Sequence, residues 1–304
     1  MTARSPEWRR VLVTGATGFL GRALVSTLTS SGVEVTGTSR SPHDEHADVR
    51  WFTGDLADES CAADAIRHAD PDVIFHLSGA VTGSRDVGVT LPTYDSLLTS
   101  TVNLLVAATR EGSPTFVLAG SMEDSLGDDV PASPYAAAKE AARRYAAMFH
   151  RLHGLPTVTA RIFMVYGPGR QDERRFVPYV IRSLQRGSDL RLSSGRRPVD
   201  WVYVDDVVEG LIALASHEAV MGRTVDVGTG ETHTVREVGE RLRNLMGASG
   251  ELPWGSSEDR LFEQVAVADV QPALQLCGWR ARTALPDGLT RTVDWFRADS
   301  GADE

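Results

Sequence analysis

Ser121, Tyr135 and Lys139 are the residues whose types and spacing could do chemistry. Tyr135 and Lys139 lie four apart in the Ala-rich stretch PYAAAKEAARR, so on a helix they share one face. An ammonium beside a phenol favours the phenolate and lowers the tyrosine's pKa. A tyrosine poised in this way can give or take a proton at a substrate oxygen. Ser121 follows the apolar run Phe116–Leu118, at the carboxyl end where ligands of open α/β sheets bind. Glu123 stands two residues beyond it. It could act as a base, bind a substrate hydroxyl, or belong to a solvated acidic run with Asp124, Asp128 and Asp129. The ordinary alternative for Tyr135 and Lys139 is an amphipathic helix pair.

The elements that must position these groups can be read from periodicity. Val11–Thr14 is a β-branched run that ends in TGATGFLG, after which apolar residues recur at helical spacing through Phe19–Leu28. Further strands are expected at Val33–Thr38, Val49–Phe52, Val73–Leu77, Phe116–Leu118 and Val158–Phe163, with helices at Glu59–His68, Tyr94–Glu111 and Tyr135–His153. Ser133-Pro134 supplies a start signal for the last of these. Strands alternating with helices predict an α/β fold: a Rossmann-type doubly wound parallel sheet. The glycines of TGATGFLG allow a tight turn and a close backbone approach to a pyrophosphate at a helix N-terminus. Gly15, Thr17, Gly18, Phe19 and Leu20 are therefore expected to hold a dinucleotide. After the second strand comes Gly37-Thr38-Ser39-Arg40, with no carboxylate for ribose hydroxyls. Ser39 and Arg40 favour NADP(H) over NAD(H), since a guanidinium suits a 2′-phosphate.

The chain has 304 residues, enough for one large domain or a medium domain with a smaller one attached. The boundary is expected to interleave: residues 1–167, with 200–228 returning to them, form the dinucleotide domain. Residues 168–199 and 229–304 form a smaller mixed α/β C-terminal region. A net charge of −10 gives no electrostatic footprint for nucleic acid or an anionic membrane surface. Cys61 and Cys277 are too few for a disulfide framework or a zinc site, which points to a reducing compartment and hence the cytoplasm. No metal is expected, and no apolar run is long enough to span a bilayer.

The combination resembles the extended short-chain dehydrogenase/reductases of the NAD(P)-dependent nucleotide-sugar epimerase/dehydratase/ketoreductase type. The resemblance runs along nearly the whole chain. Gly54-Asp55-Leu56 resembles the family's adenine-contacting Asp-Leu, and His76-Leu77-Ser78-Gly79-Ala80 its turn beside the cofactor. Asn103 in TVNLLVAA, RIFMVYGP at 161–168, DWVYVDDV at 200–207 and DVQPALQLCGW at 269–279 continue it. It implies Ser121, Tyr135 and Lys139 as the catalytic group, with Tyr135 and Lys139 also touching the cofactor and Lys139 holding its ribose. It implies Asp55, Leu56, Leu77, Ser78 and Gly79 at the cofactor, the C-terminal region as the nucleoside-diphosphate-sugar site, and a homodimer through the helices at about 94–111 and 135–153. Two departures stand out. Met164 replaces the family's substrate-contacting Asn, and Val199 replaces an Arg, so Arg197 and Arg260 become the expected partners of the diphosphate.

The reaction is open on sequence alone. Arg40 and NADPH lean toward a reductase of an NDP-4-keto-6-deoxyhexose, in which Tyr135 protonates the C4 oxygen and Ser121 hydrogen-bonds it. Ser121-Met122-Glu123 also resembles the Thr-x-Glu of 4,6-dehydratases, where the glutamate is the base at C5. Met122 counts against that activity, because it has no proton for a leaving hydroxyl where some dehydratases place an Asp. A dehydratase or an epimerase with tightly bound NAD(P) is the alternative. A non-catalytic NADP(H) sensor is more remote, since Tyr135 and Lys139 are both intact.

Overall fold

The structure is a computed structural model that describes residues 8–43, 48–124, 130–259 and 265–300. In chain order it forms β1 (Arg10–Thr14), α1 (Phe19–Ser30), β2 (Glu34–Ser39), β3 (Val49–Thr53), α2 (Glu59–Ala69) and β4 (Val73–His76). Next come α3 (Thr90–Thr93), a π-helical turn (Tyr94–Thr99), α4 (Ser100–Arg110), β5 (Thr115–Ser121), α5 (Pro134–His153) and β6 (Thr157–Ile162). The remainder comprises β7 (Met164–Tyr166), α6 (Phe176–Arg186), β8 (Pro198–Val199), β9 (Trp201–Tyr203), α7 (Val204–Ala215), β10 (Thr224–Val227), β11 (His233–Thr234), α8 (Val235–Met246), α9 (Gln271–Cys277) and α10 (Leu285–Ser300).

Seven strands form one sheet in the order β10-β6-β5-β4-β1-β2-β3, and the pairings from β3 across to β6 are parallel. The chain winds outward from β1 to β3, then restarts on the other side of β1 at β4. The carboxyl ends of β1 and β4 therefore flank a topological switch point, where a doubly wound sheet opens a crevice. The fold is the expected Rossmann-like α/β arrangement. β4 and β6 are buried at every residue, as strands covered on both faces must be.

The chain divides into two compact units. The first comprises Met1–Ile162, Val208–Asp226 and Gln271–Trp279. Its core is Leu12, Ile74, Leu104, Leu105, Phe116, Leu118 and Phe149 with the alanines of α2, α4 and α5. The small side chains let helices approach the sheet closely. The buried Arg161 of β6 makes two 2.7 Å bonds to Asp226 of β10, a bidentate pair that fastens the edge strand. The second unit comprises Phe163–Val207, Val227–Val270 and Arg280–Glu304. Its organising residue is the fully buried Asp200, whose carboxylate accepts from the backbone N–H of Thr229, Gly230 and Ala268 and from the Thr229 hydroxyl.

One expected helix differs. The stretch from Tyr94 does not start an α-helix; α3 begins at Thr90, with Pro92 tolerated inside its first turn, and six residues then adopt π geometry before α4. Apolar spacing alone does not separate a π turn from an α turn.

Candidate active site

β5 delivers Ser121 as its last residue, and the side chain is buried. α5 starts close behind in sequence. The Ser133 side chain accepts from Ala136 N–H, Pro134 occupies the first helical position, and Tyr135 and Lys139 follow on one buried face. Lys139 Nζ donates to the Ala119 carbonyl of β5 at 2.6 Å and stands 5.9 Å from the centre of the Tyr135 ring. Burial pulls the Lys139 ammonium down to about 8, against the opposing pull of the nearby Asp124 carboxylate. The three residues expected to do chemistry are thus held by one strand end and one helix start, both rigid elements.

The residues after Ser121 alternate sharply. Met122 is buried, with its N–H on the Ile162 carbonyl. Glu123 is exposed, and its N–H donates to Ser121 Oγ at 3.2 Å. Asp124 is buried and accepts from Arg143 Nε of α5 at 2.7 Å. Desolvation raises the Asp124 carboxyl and the Arg143 guanidinium opposes it. The expected acidic run is therefore not one solvated face. Asp124 is a buried tie between β5 and α5, and Asp128 and Asp129 lie outside the described residues.

The glycine turn has the shape a dinucleotide needs. Gly15 has φ +69°, and a side chain there would meet the backbone of Leu77 and Ser78 at 2.8–2.9 Å. A Cβ on Gly21 would fall 2.1 Å from the Gly15 carbonyl. Gly18 caps α1 with no side-chain bond to the first-turn N–H groups, and no acidic residue occupies that turn. Those donors are left for an anion on the positive end of the helix. Thr17 bonds through its carbonyl to Arg22 Nε at 2.8 Å, and Phe19 and Leu20 are half-buried at the start of α1. A turn packed this tightly, with first-turn N–H groups left without a side-chain cap, fits a pyrophosphate. At the end of β2, Ser39 is half-buried and Arg40 is exposed, with no hydrogen bond or ion pair to any described residue.

Of the remaining expected cofactor residues, Leu77 and Ser78 back this turn, whereas Asp55 and Leu56 follow β3, beyond β2 in the sheet. Gly79 has φ +134°, and Leu77 and Ser78 are half-buried just beyond β4. Asp55 is exposed and its carboxylate accepts from Ala57 N–H. The Leu56 side chain belongs to the apolar core, so only its backbone faces outward. Asn103 Nδ2 donates to the carbonyls of Leu56 and Ala57 at 3.1 and 2.9 Å, fixing that loop. Of the expected substrate residues, Met164 is half-buried on β7 opposite Trp201 in the second unit. Arg197, also half-buried there, accepts at its carbonyl from Val235 N–H. Arg260 lies outside the described residues. Two features escaped the sequence: the Asp124–Arg143 pair, and a buried polar chain through Thr14, His76 and Thr101. A histidine inside the apolar run VIFHL was the one visible signal for the second.

Comparison with known proteins gives the chain its relatives. The chain is 31% identical to a UDP-glucose 4-epimerase of Mycolicibacterium smegmatis, over 96% of this chain and 99% of that protein. It is 29% identical to a dTDP-glucose 4,6-dehydratase of an Actinoplanes species, over 95% and 98%. Among solved structures, MoeE5 in complex with UDP-glucuronic acid and NAD superimposes with a TM-score of 0.85 at 30% identity, covering 95% of this chain and 99% of that one. No described helix is long and apolar enough to cross a membrane. Residues 11–228 match the NAD dependent epimerase/dehydratase family, and the chain belongs to that family of extended short-chain dehydrogenases/reductases.

Proposed function

We propose that this chain acts at C4 of a nucleoside-diphosphate hexose and leaves the sugar's net oxidation state unchanged, as a 4-epimerase does. The observation that carries the proposal is a buried Ser121, Tyr135 and Lys139 beside an equally buried Met122. The three polar groups supply the means to take a proton from one sugar oxygen and return it. Met122 is a thioether, with no proton to give, where some 4,6-dehydratases place an Asp. A bound nicotinamide dinucleotide would supply a hydride acceptor at C4 and the same hydride for the return. Tyr135 would hold the proton between the two halves of the reaction. Ser121 would hydrogen-bond the same sugar oxygen, and Lys139 would orient Tyr135 and hold a cofactor ribose. Epimerisation, dehydration and decarboxylation of a sugar nucleotide are all redox-neutral, and relatives carrying the first two names support the reading.

The nucleoside diphosphate would be taken up by 168–199 and 229–304, with Arg197 and Arg260 as phosphate partners and Met164 beside the sugar. Exposed Tyr94 and Tyr145 fit a homodimer through the helices at 94–111 and 135–153.

The test is direct. UDP-hexose incubated with the protein and NAD(P) should interconvert C4 epimers, read by proton NMR, with the cofactor at constant redox state and no loss of water. Glu123→Gln should keep turnover within about threefold, since exposed Glu123 takes no part in moving the C4 proton. A loss of a hundredfold or more, with a 4-keto-6-deoxy product in the unaltered protein, would transfer the assignment to the dehydratase.

Arg40 favours a second reading. Free of any described partner at the end of β2, it suits a 2′-phosphate, and NADPH is the usual donor for a net reductase of an NDP-4-keto-6-deoxyhexose. Arg40→Ser should weaken NADP(H) binding about ten- to a hundredfold and NAD(H) binding by less than about threefold, measured by fluorescence titration. Equal losses for both would remove Arg40 from cofactor choice. Stoichiometric NADPH consumption with a 4-keto-6-deoxy sugar nucleotide would make the reductase the activity.

A further inference from the structure

The glycine turn and the π turn are joined by a buried polar chain that no acid–base role uses. Thr14 closes β1 just before the glycine turn, and its Oγ1 lies 2.7 Å from His76 Nδ1. His76 Nε2 lies 2.9 Å from Thr101 Oγ1. That hydroxyl bonds the carbonyl of Leu97 in the π turn. Ser78 flanks the near end: its N–H donates to Thr14 Oγ1 at 3.2 Å, and its Oγ lies 3.1 Å from Thr14 Oγ1 and 3.3 Å from His76 Nδ1. Thr14, His76 and Thr101 are each at most 1% exposed.

Counting protons fixes the direction of the chain. The Leu97 carbonyl can only accept, so Thr101 spends its single hydroxyl proton there. Thr101 Oγ1 must then accept from His76, which places the ring proton on Nε2. Burial, helped by the charge of Lys139, pulls His76 down to about 3, so the ring is neutral and carries one N–H. Nδ1 is left as an acceptor for the hydroxyl of Thr14 or Ser78.

The far end reaches the catalytic tyrosine through packing. Leu97 forms one buried cluster with Tyr135 and Ala138. Its Cδ2 also stands 2.0 Å from where a Cβ on Gly79 would be, so it is wedged against the cofactor-side turn as well. One side chain of the π turn, Leu97, thus touches both.

We propose that His76, as its Nε2–H tautomer, is a positioning residue: through Thr14 and Thr101 it sets the spacing between the glycine turn and the π turn, and Leu97 passes that setting to Tyr135. The proposal rests on Tyr135 being the acid–base group of the function proposed above.

Two measurements test it on the full chain. Nitrogen-15 NMR of the histidine rings, with the His76 signals assigned by their loss in His76→Asn, should show a protonated Nε2 and an unprotonated Nδ1 at pH 7. The opposite tautomer overturns the proposal whether or not the protein turns over a substrate. Second, Thr101→Val keeps the shape and removes the hydroxyl, whereas Thr101→Ser keeps the hydroxyl. With UDP-hexose and NAD(P), the valine variant should lose about ten- to a hundredfold in kcat with KM within about threefold, and the serine variant should recover to within about threefold. A valine variant with unchanged kcat below its melting temperature would reduce the chain to a stability element. Should Thr101→Val fail to fold, Leu97→Ala leaves the hydrogen bonds in place, removes the contact with Tyr135 and should show the same kcat loss. If the unaltered protein turns over no sugar nucleotide, the functional reading fails, while the tautomer still decides the chain.

Discussion

Tyr135→Phe is expected to cut turnover by about two to four powers of ten while leaving the fold and cofactor affinity nearly unchanged. The substitution removes one oxygen from a ring whose carbon atoms sit in the Leu97–Ala138 cluster. Because the side chain is 8% exposed and its apolar contacts survive, the cost in stability should be no more than about 1–1.5 kcal/mol, the order of one lost hydrogen bond. The glycine cradle is built from backbone of Gly15, Leu77 and Ser78, which the substitution leaves in place, so dinucleotide binding should hold within about threefold. The loss should therefore fall on kcat, because the group is needed only when the C4 proton moves. Single-turnover kinetics with a pre-loaded dinucleotide, beside a melting curve, make the comparison. Turnover within about threefold of the unaltered protein would remove Tyr135 from the proton transfer. It would leave a water or Glu123 as the group that handles the proton.

The sequence carried the frame of this site better than its interior. The glycine turn was legible because three glycines at fixed spacing between a strand and a helix answer a steric demand, and Gly15 and Gly21 do stand where a Cβ has no room. The alternation of strands and helices likewise specified the Rossmann-like sheet, since a parallel crossover is usually made by a helix, although β2 reaches its parallel neighbour β3 with no described helix between them. What sequence could not show was the burial of successive residues in an irregular turn. Ser121-Met122-Glu123-Asp124 reads as a polar loop, yet Glu123 faces out while its two neighbours face in. No periodicity governs a turn, so nothing in the string separates the exposed carboxylate from the buried one. Asp124 became recognisable only with Arg143 beside it, nineteen positions away. The π turn was invisible for a related reason: its Leu97 packs against Gly79, which lies on another segment. Long-range pairings such as Arg161 with Asp226 and His76 with Thr101 share this property.

Lys139→Met should produce two effects of opposite sign: turnover falls by about two to four powers of ten, and the folded protein becomes more stable at pH 7. The first follows if the ammonium orients Tyr135 and holds cofactor ribose. The second follows from burial. Lys139 is 6% exposed, and its ammonium loses its proton at about 8 in the folded chain, against 10.5 for a free lysine. Below pH 8 both states carry the charge, so the folded state bears the whole desolvation cost. Between pH 8 and 10.5 the unfolded chain binds the extra proton, and stability rises with pH as that cost is relieved. At about 1.4 kcal/mol per pH unit the cost is roughly 3 kcal/mol, offset by about 1 kcal/mol for the lost bond to the Ala119 carbonyl. Methionine, of similar length and uncharged, should thus gain about 2 kcal/mol at pH 7, and the gain should vanish near pH 10 and turn into a loss of at most about 1 kcal/mol above it, where only the missing bond to the Ala119 carbonyl remains. Denaturant titrations at pH 7 and pH 10 measure the difference. A variant less stable than the original at pH 7 would mean that Asp124 and the Ala119 carbonyl more than compensate the buried charge. Lys139 would then be a structural ion whose removal disturbs the fold, and the loss of turnover could no longer be assigned to catalysis. A gain in stability together with the loss of turnover leaves one account: the ammonium is kept in an unfavourable place for the sake of the reaction.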